Sequence, residues 1–95
     1  MLDSKKRSYL TKLANDINPI FQVGKASLTT ELIAAVEQAL DKRELIKISV
    51  LKNCLDDPRE IADTIAGRTK SEVVRVIGKK IILYKQNKKK PKIEF

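Results

Sequence analysis

The chain has 95 residues, with 20 lysines and arginines against 12 acids, no histidine and a single cysteine. These numbers exclude an internal disulfide, remove the usual general base and the commonest metal ligand, and leave room for one domain. No catalysis, metal or cofactor is expected; no window approaches the ~18 apolar residues of a membrane span, so a cytoplasmic protein with no membrane partner is expected.

The positive charge is clustered. Between Arg68 and Lys92 there are ten basic residues and one acid, Glu72, whereas residues 29–67 hold five basic and eight acidic residues. The first 28 residues hold five basic and two acidic. A cluster of this kind is the electrostatic footprint of a polyanion, nucleic acid foremost. The aromatics are Tyr9, Phe21, Tyr84 and Phe95, so a core built from 42 % apolar residues must be aliphatic. Phe21 is expected in that core, Tyr84 in a sheet with a wet hydroxyl, and Cys54 as a small buried residue without a partner that could activate its thiolate.

In chain order, Asp3 or Ser4 can cap a first helix reaching about Asn15, with Leu10, Leu13, Ala14 and Ile17 at helical spacing. Lys5, Lys6 and Arg7 in its first turn oppose the helix dipole, which suggests a use for them elsewhere. Asn18-Pro19 ends this segment and 20–23 reads as a short strand. After Gly24-Lys25-Ala26-Ser27, a second helix runs from about Leu28 or Thr29 to Asp41. Ile46, Ile48 and Val50 alternate with Lys47 and Ser49, the pattern of a strand with one buried face. Asp57-Pro58-Arg59-Glu60 opens a third helix with an acid at the cap and proline at the first position. Ile61, Ala62, Ile65 and Ala66 form its buried stripe and Gly67 is the expected stop. Two strands, 72–77 and 80–85, flank Gly78-Lys79, a two-residue turn with glycine first. Beyond residue 85 the tail has nothing to bury and is expected to be mobile when free. The result is an α/β fold of αβαβαββ order, a four-stranded mixed sheet backed by helices, with residues 1–85 as the domain and 86–95 as a basic tail.

The Gly24, Lys25, Ala26, Ser27 connection sets free backbone N–H groups and a lysine at a helix start, a phosphate-binding arrangement. Ser27 or Thr29 can cap the helix or donate to a phosphate oxygen; Ser27, just before the apolar helical pattern, is the expected cap. The other basic candidates are Lys5, Lys6, Arg7 and Lys12 on the first helix, Arg75, Lys79, Lys80 and Lys85 on the hairpin, and Lys88, Lys89 and Lys90 in the tail. Without an aromatic platform these favour structured RNA recognised by shape and phosphates. Glu31, Glu37, Asp41 and Glu44 should face away from RNA. An architectural protein for duplex DNA, or a protein-interaction module using the acidic second helix, are the competing readings.

The segments IFQVGKASLT (20–29), VEQALDKRELIK (36–47) and VIGKKIILYK (76–85) resemble those of YhbY-like proteins, the single-domain members of the chloroplast RNA splicing and ribosome maturation (CRM) family. The resemblance spans about Ser4 to Lys85. It implies an RNA-binding domain similar in fold to the C-terminal domain of translation initiation factor three. It also implies association with precursors of the large ribosomal subunit. The expected protein is a monomer when free, with ribosomal RNA as its partner and a ribosomal protein as a candidate contact. The family carries a Gly-x-x-Gly loop after its first strand. Gly24 matches the first glycine, and Ser27 stands in place of the second, where positive φ is costlier.

Overall fold

The computed structural model describes residues 2–87, 91 and 93. Its elements follow the expected order: α1 (Ser4–Ala14), β1 (Phe21–Val23), α2 (Thr30–Arg43), β2 (Leu45–Val50), α3 (Pro58–Thr69), β3 (Glu72–Ile77) and β4 (Lys80–Tyr84). The four strands form one mixed sheet in the order β1-β2-β4-β3. β1 runs parallel to β2 through the α2 crossover, while β4 lies antiparallel to both β2 and β3. Gly78, at φ 56, is the first residue of the β3–β4 turn, and Lys79 has no positive φ. This places the glycine where a type II′ turn requires it.

The sheet is covered on both faces. On one side Val23, Ile46, Ile48, Val50, Ile81 and Leu83 pack with Val36 and Leu40 of α2 and Ile61, Ala62 and Ile65 of α3. Cys54 is buried there, and Phe21 packs partly buried against the cluster. On the other side Leu10 and Ala14 of α1 join Leu2, Leu45, Val74, Ile82 and Tyr84. The expectation of one buried face for β2 is therefore corrected. Leu45 is buried too, because α1 returns across the second face, and Ser49, further along that face, is buried with its hydroxyl accepting from Lys80 Nζ. Leu13, placed in the apolar stripe by its spacing, is instead exposed, while Ile17 packs against the second cluster beyond the helix end.

Local chemistry sets most helix ends. Asp3 caps α1 by accepting from the Lys6 N–H at 2.8 Å, and Asp57 caps α3 by accepting from the Arg59 N–H at 3.2 Å, ahead of Pro58. Two expectations fail at helix ends. Thr29, not Ser27, caps α2, its hydroxyl accepting from the Leu32 N–H at 3.1 Å. Gly67 does not stop α3, which continues to Thr69 and ends on Lys70 in the left-handed region at φ 56. The extra turn is held from inside: the buried Thr69 hydroxyl donates to the Ile65 carbonyl at 2.8 Å, and the Ser71 N–H donates to the Ala66 carbonyl at 3.0 Å.

Glu44, grouped by the sequence with the acids of α2, is 0 % exposed. It ends α2 at φ 62, and its carboxylate accepts from the Asn87 N–H at 2.7 Å and the Ile93 N–H at 2.9 Å. Ile93 packs against the α1-side cluster, so the C-terminal segment does bury an apolar residue. Tyr84 also differs from expectation. Its hydroxyl is buried rather than wet, and burial, reinforced by the Glu44 and Glu72 carboxylates, raises its pKa above the ordinary value.

Candidate functional site

Three connections meet at one end of the sheet. The Val50 N–H donates to the Lys79 carbonyl at 2.7 Å, and the Leu51 N–H donates to the Val23 carbonyl at 2.8 Å. The loop after β1, the loop between β2 and α3, and the β3–β4 turn are thereby held side by side. They bring together Lys25 and Lys79, both expected, with Lys52, which the sequence reading missed. All three are exposed, as is Leu55, 98 % accessible in the same β2–α3 loop.

Within the first loop the two ends have different surroundings. Gly24 has no positive φ, and a Cβ there would meet Asn53 Oδ1 at an ordinary 3.5 Å. Ser27 lies at φ 55, so this chain keeps the left-handed backbone that a glycine would supply at lower cost. Its hydroxyl donates to the Asp56 carboxylate. A groove lined by Ser27, Leu28, Asp56, Glu60, Ile61 and Thr64 surrounds that contact, and its two carboxylates repel an anion. The end suited to phosphate is the one formed by Gly24, Lys25, Lys52 and Asn53.

Next to these loops, part of the α1-side face is left open. The register aligns Gln22, Ser49, Lys80 and Ile77 in a row across all four strands, on the face that carries Ile82 and Tyr84. At about 4.8 Å per strand the row is about 14 Å long. Gln22 and Lys80 are exposed and Ile77 is 50 % exposed. The Lys80 Nζ donates to Ser49 Oγ at 2.9 Å, which leaves the serine's own proton to be donated elsewhere. Lys47 and Arg75 stand two residues further along on the same face, opposite Ile82. No strand carboxylate occurs in either row; Glu72 lies at the far end, opposite Tyr84. Lys47 escaped the sequence reading because an alternating strand pattern marks it only as outward-facing. Its place beside Lys80 depends on β4 lying between β2 and β3.

The remaining expected residues are more dispersed. Lys5 and Lys6 are in the first turn of α1, where with Asp3 and Tyr9 they line a shallow depression. Arg7 reaches the Val73 carbonyl at 3.5 Å and Arg75 Nε donates to Thr11 Oγ1 at 3.2 Å, so both help hold α1 on β3. Lys12 is exposed on α1. Lys85 is set apart: it follows β4 about 17 Å from Lys80 at strand spacing, and its Nζ is 3.8 Å from Asp41 Oδ1. Lys88, Lys89 and Lys90 lie outside the described residues. Among the described residues no group of three or more His, Cys, Asp or Glu side chains comes together, and no helix is long and apolar enough to cross a membrane.

A small αβ domain with a lysine-rich loop end and an open cationic strip on its sheet is thus the class of molecule defined here. Residues 2–85 match the CRS1 / YhbY (CRM) domain, and the chain belongs to that family. It is 40 % identical over 95 residues to a Bacillus subtilis protein named "Probable RNA-binding protein YqeI", covering 100 % of this chain and 99 % of that one. It is 33 % identical over 84 residues to a Haemophilus influenzae protein named "RNA-binding protein", covering 88 % and 85 % of the two chains. The solution structure of a hypothetical protein from Staphylococcus aureus superposes with a TM-score of 0.83 at 44 % identity, covering 99 % of this chain and 98 % of that one.

Proposed function

We propose that this protein binds structured ribosomal RNA and assists assembly of the large ribosomal subunit in the cytoplasm, by binding and without catalysing a reaction. The observation that carries the RNA reading is the joined cationic surface of Lys25, Lys52 and Lys79 on the loops with Lys47 and Lys80 on the open strip, free of strand carboxylates. The names of its relatives support RNA as the partner. A surface of separated lysines without stacking aromatics takes hold of phosphates and reads shape rather than base sequence. The assignment to large-subunit precursors follows the family resemblance of the segments around Gly24, Glu44 and Gly78.

Affinity for a structured RNA should fall by orders of magnitude between roughly 50 and 200 mM salt if about six phosphates are neutralised. Lys25→Glu and Lys80→Glu should each weaken binding without moving the melting temperature, and duplex DNA should compete poorly. In cell extract on a density gradient, the protein should travel with large-subunit precursors and leave those fractions after RNase treatment. A flat salt response would refute the phosphate-based mode, and absence from precursor fractions would refute the assembly role.

A further inference from the structure

The outer edge of β3 carries a surface notch of about 320 Å³ lined by Arg7, Arg59, Val73, Val74, Arg75 and Val76. Its three arginines come from α1, α3 and β3. Because α1 and α3 cover opposite faces of the sheet, the notch wraps around the free edge of the strand. The chain has five arginines, so more than half converge here, whereas the loop end and the open strip carry lysines apart from Arg75. Among the described residues no carboxylate lines the notch.

Two of the guanidiniums are held in place by hydrogen bonds that leave donors over. Arg75 Nε donates to Thr11 Oγ1, and the Thr11 hydroxyl donates in turn to the Arg7 carbonyl at 2.8 Å. Using Nε leaves both terminal nitrogens of Arg75 available, and Arg7 spends one N–H on the Val73 carbonyl. Strand pairing slips between Val73 and Arg75, a bulge that disrupts the ladder at Val74. Val76 is one residue from the pair that closes the turn, so antiparallel alternation aims its main chain away from β4, on the notch side. Arg59 is the exposed arm. It touches Asp63 at 3.6 Å with both side chains more than half exposed, an ion pair of little strength.

Planar guanidiniums with several N–H donors each match a phosphate better than lysines do, because two parallel hydrogen bonds can form per arginine. We propose that this notch is a phosphate-binding site that takes one phosphodiester group of the bound RNA, with Arg7 and Arg75 as fixed walls and Arg59 closing on it from α3. The RNA part of this inference rests on the function proposed above; the phosphate part stands on the notch alone.

Two measurements on the full chain test it. In NMR spectra of the arginine Nε–H groups, inorganic phosphate should shift the Arg59 and Arg75 signals, and chloride at equal ionic strength should not. Arg59→Gln should weaken structured-RNA binding about tenfold, lower the salt slope by about one, and leave melting unchanged. Arg43→Gln, which removes the same charge at the end of α2, should have a much smaller effect. If wild type binds RNA, Arg59→Gln binds equally well and the Nε–H signals ignore phosphate, the notch is overturned and the RNA function stands. Equal weakening by Arg43→Gln also overturns it, since the effect would then be long-range charge. If phosphate shifts the signals but no structured RNA binds, the anion site is upheld and the RNA function falls.

Discussion

At Ser27 two local effects oppose one another. The residue occupies φ 55, a conformation costing a non-glycine residue roughly 1 kcal/mol, and its hydroxyl donates to Asp56, a bond worth about 0.5–1.5 kcal/mol. Ser27→Gly relieves the first and loses the second, so thermal melting should stay near wild type. Ser27→Ala keeps the strain and loses the bond, and should cost about 1 kcal/mol. Thr29→Ala should cost a similar ~1 kcal/mol through loss of the α2 cap. RNA affinity should survive Ser27→Ala, because the hydroxyl is committed to a carboxylate on the side of the loop that faces Glu60. A large loss of affinity with unchanged melting would show that the hydroxyl contacts phosphate after all.

Elements in this chain end where tertiary contacts allow, not always where a glycine stands. Gly67 lies inside α3 with nothing within 4 Å of a Cβ placed there. Glycine in a helix interior is less stable than alanine, so Gly67→Ala should stabilise the protein by about 0.5–1 kcal/mol. Gly78 also has open space, but its φ of +56 makes Gly78→Ala destabilising by about 1 kcal/mol or more. Urea midpoints for the pair check both. A loss of stability in Gly67→Ala would contradict a helix running on to Thr69. The αL residue that ends α3 is Lys70, and the stripe Ile61, Ala62, Ile65 was readable because 3.6-residue spacing survives whichever residue supplies the stop.

The whole molecule depends on a second core that joins distant parts of the chain around Tyr84. Leu2, Leu10 and Ala14, Leu45, Val74, Ile82 and the C-terminal Ile93 meet there, and Glu44 fastens the C-terminal segment beside them. The Tyr84 pKa is raised in the folded state by burial, then by Glu44 and Glu72. The folded protein therefore holds that proton more tightly than the unfolded chain does. The associated stability is complete below the unfolded value near 10 and is lost as pH rises from there through the higher folded value. Tyr84→Phe should lose less stability than wild type between pH 9 and 11, as measured by denaturant titration at each pH. Equal alkaline losses in the two proteins would show that the hydroxyl does not carry this effect.

What the sequence by itself determined was most of what neighbours within a few positions set. The Asp57-Pro58 cap, the Gly78 turn, the α3 stripe and the order αβαβαββ appear in the structure as read, while the α2 cap and the α3 stop fell to Thr29 and Lys70 instead of Ser27 and Gly67. The candidate lysines at Lys25, Lys79 and Lys80 were legible for the same reason, as charges beside turn residues. Only the tertiary structure decided what depends on which strands are neighbours. The order β1-β2-β4-β3 puts Ser49 and Lys47 beside β4 and makes β3 an edge between α1 and α3, where Arg59 meets Arg7 and Arg75. Glu44 is buried, and two backbone amides that its carboxylate accepts from, those of Asn87 and Ile93, come from the far end of the chain. Spacing along a chain carries no record of pairings across more than 40 residues, since those are selected by how two apolar faces of one sheet are covered together.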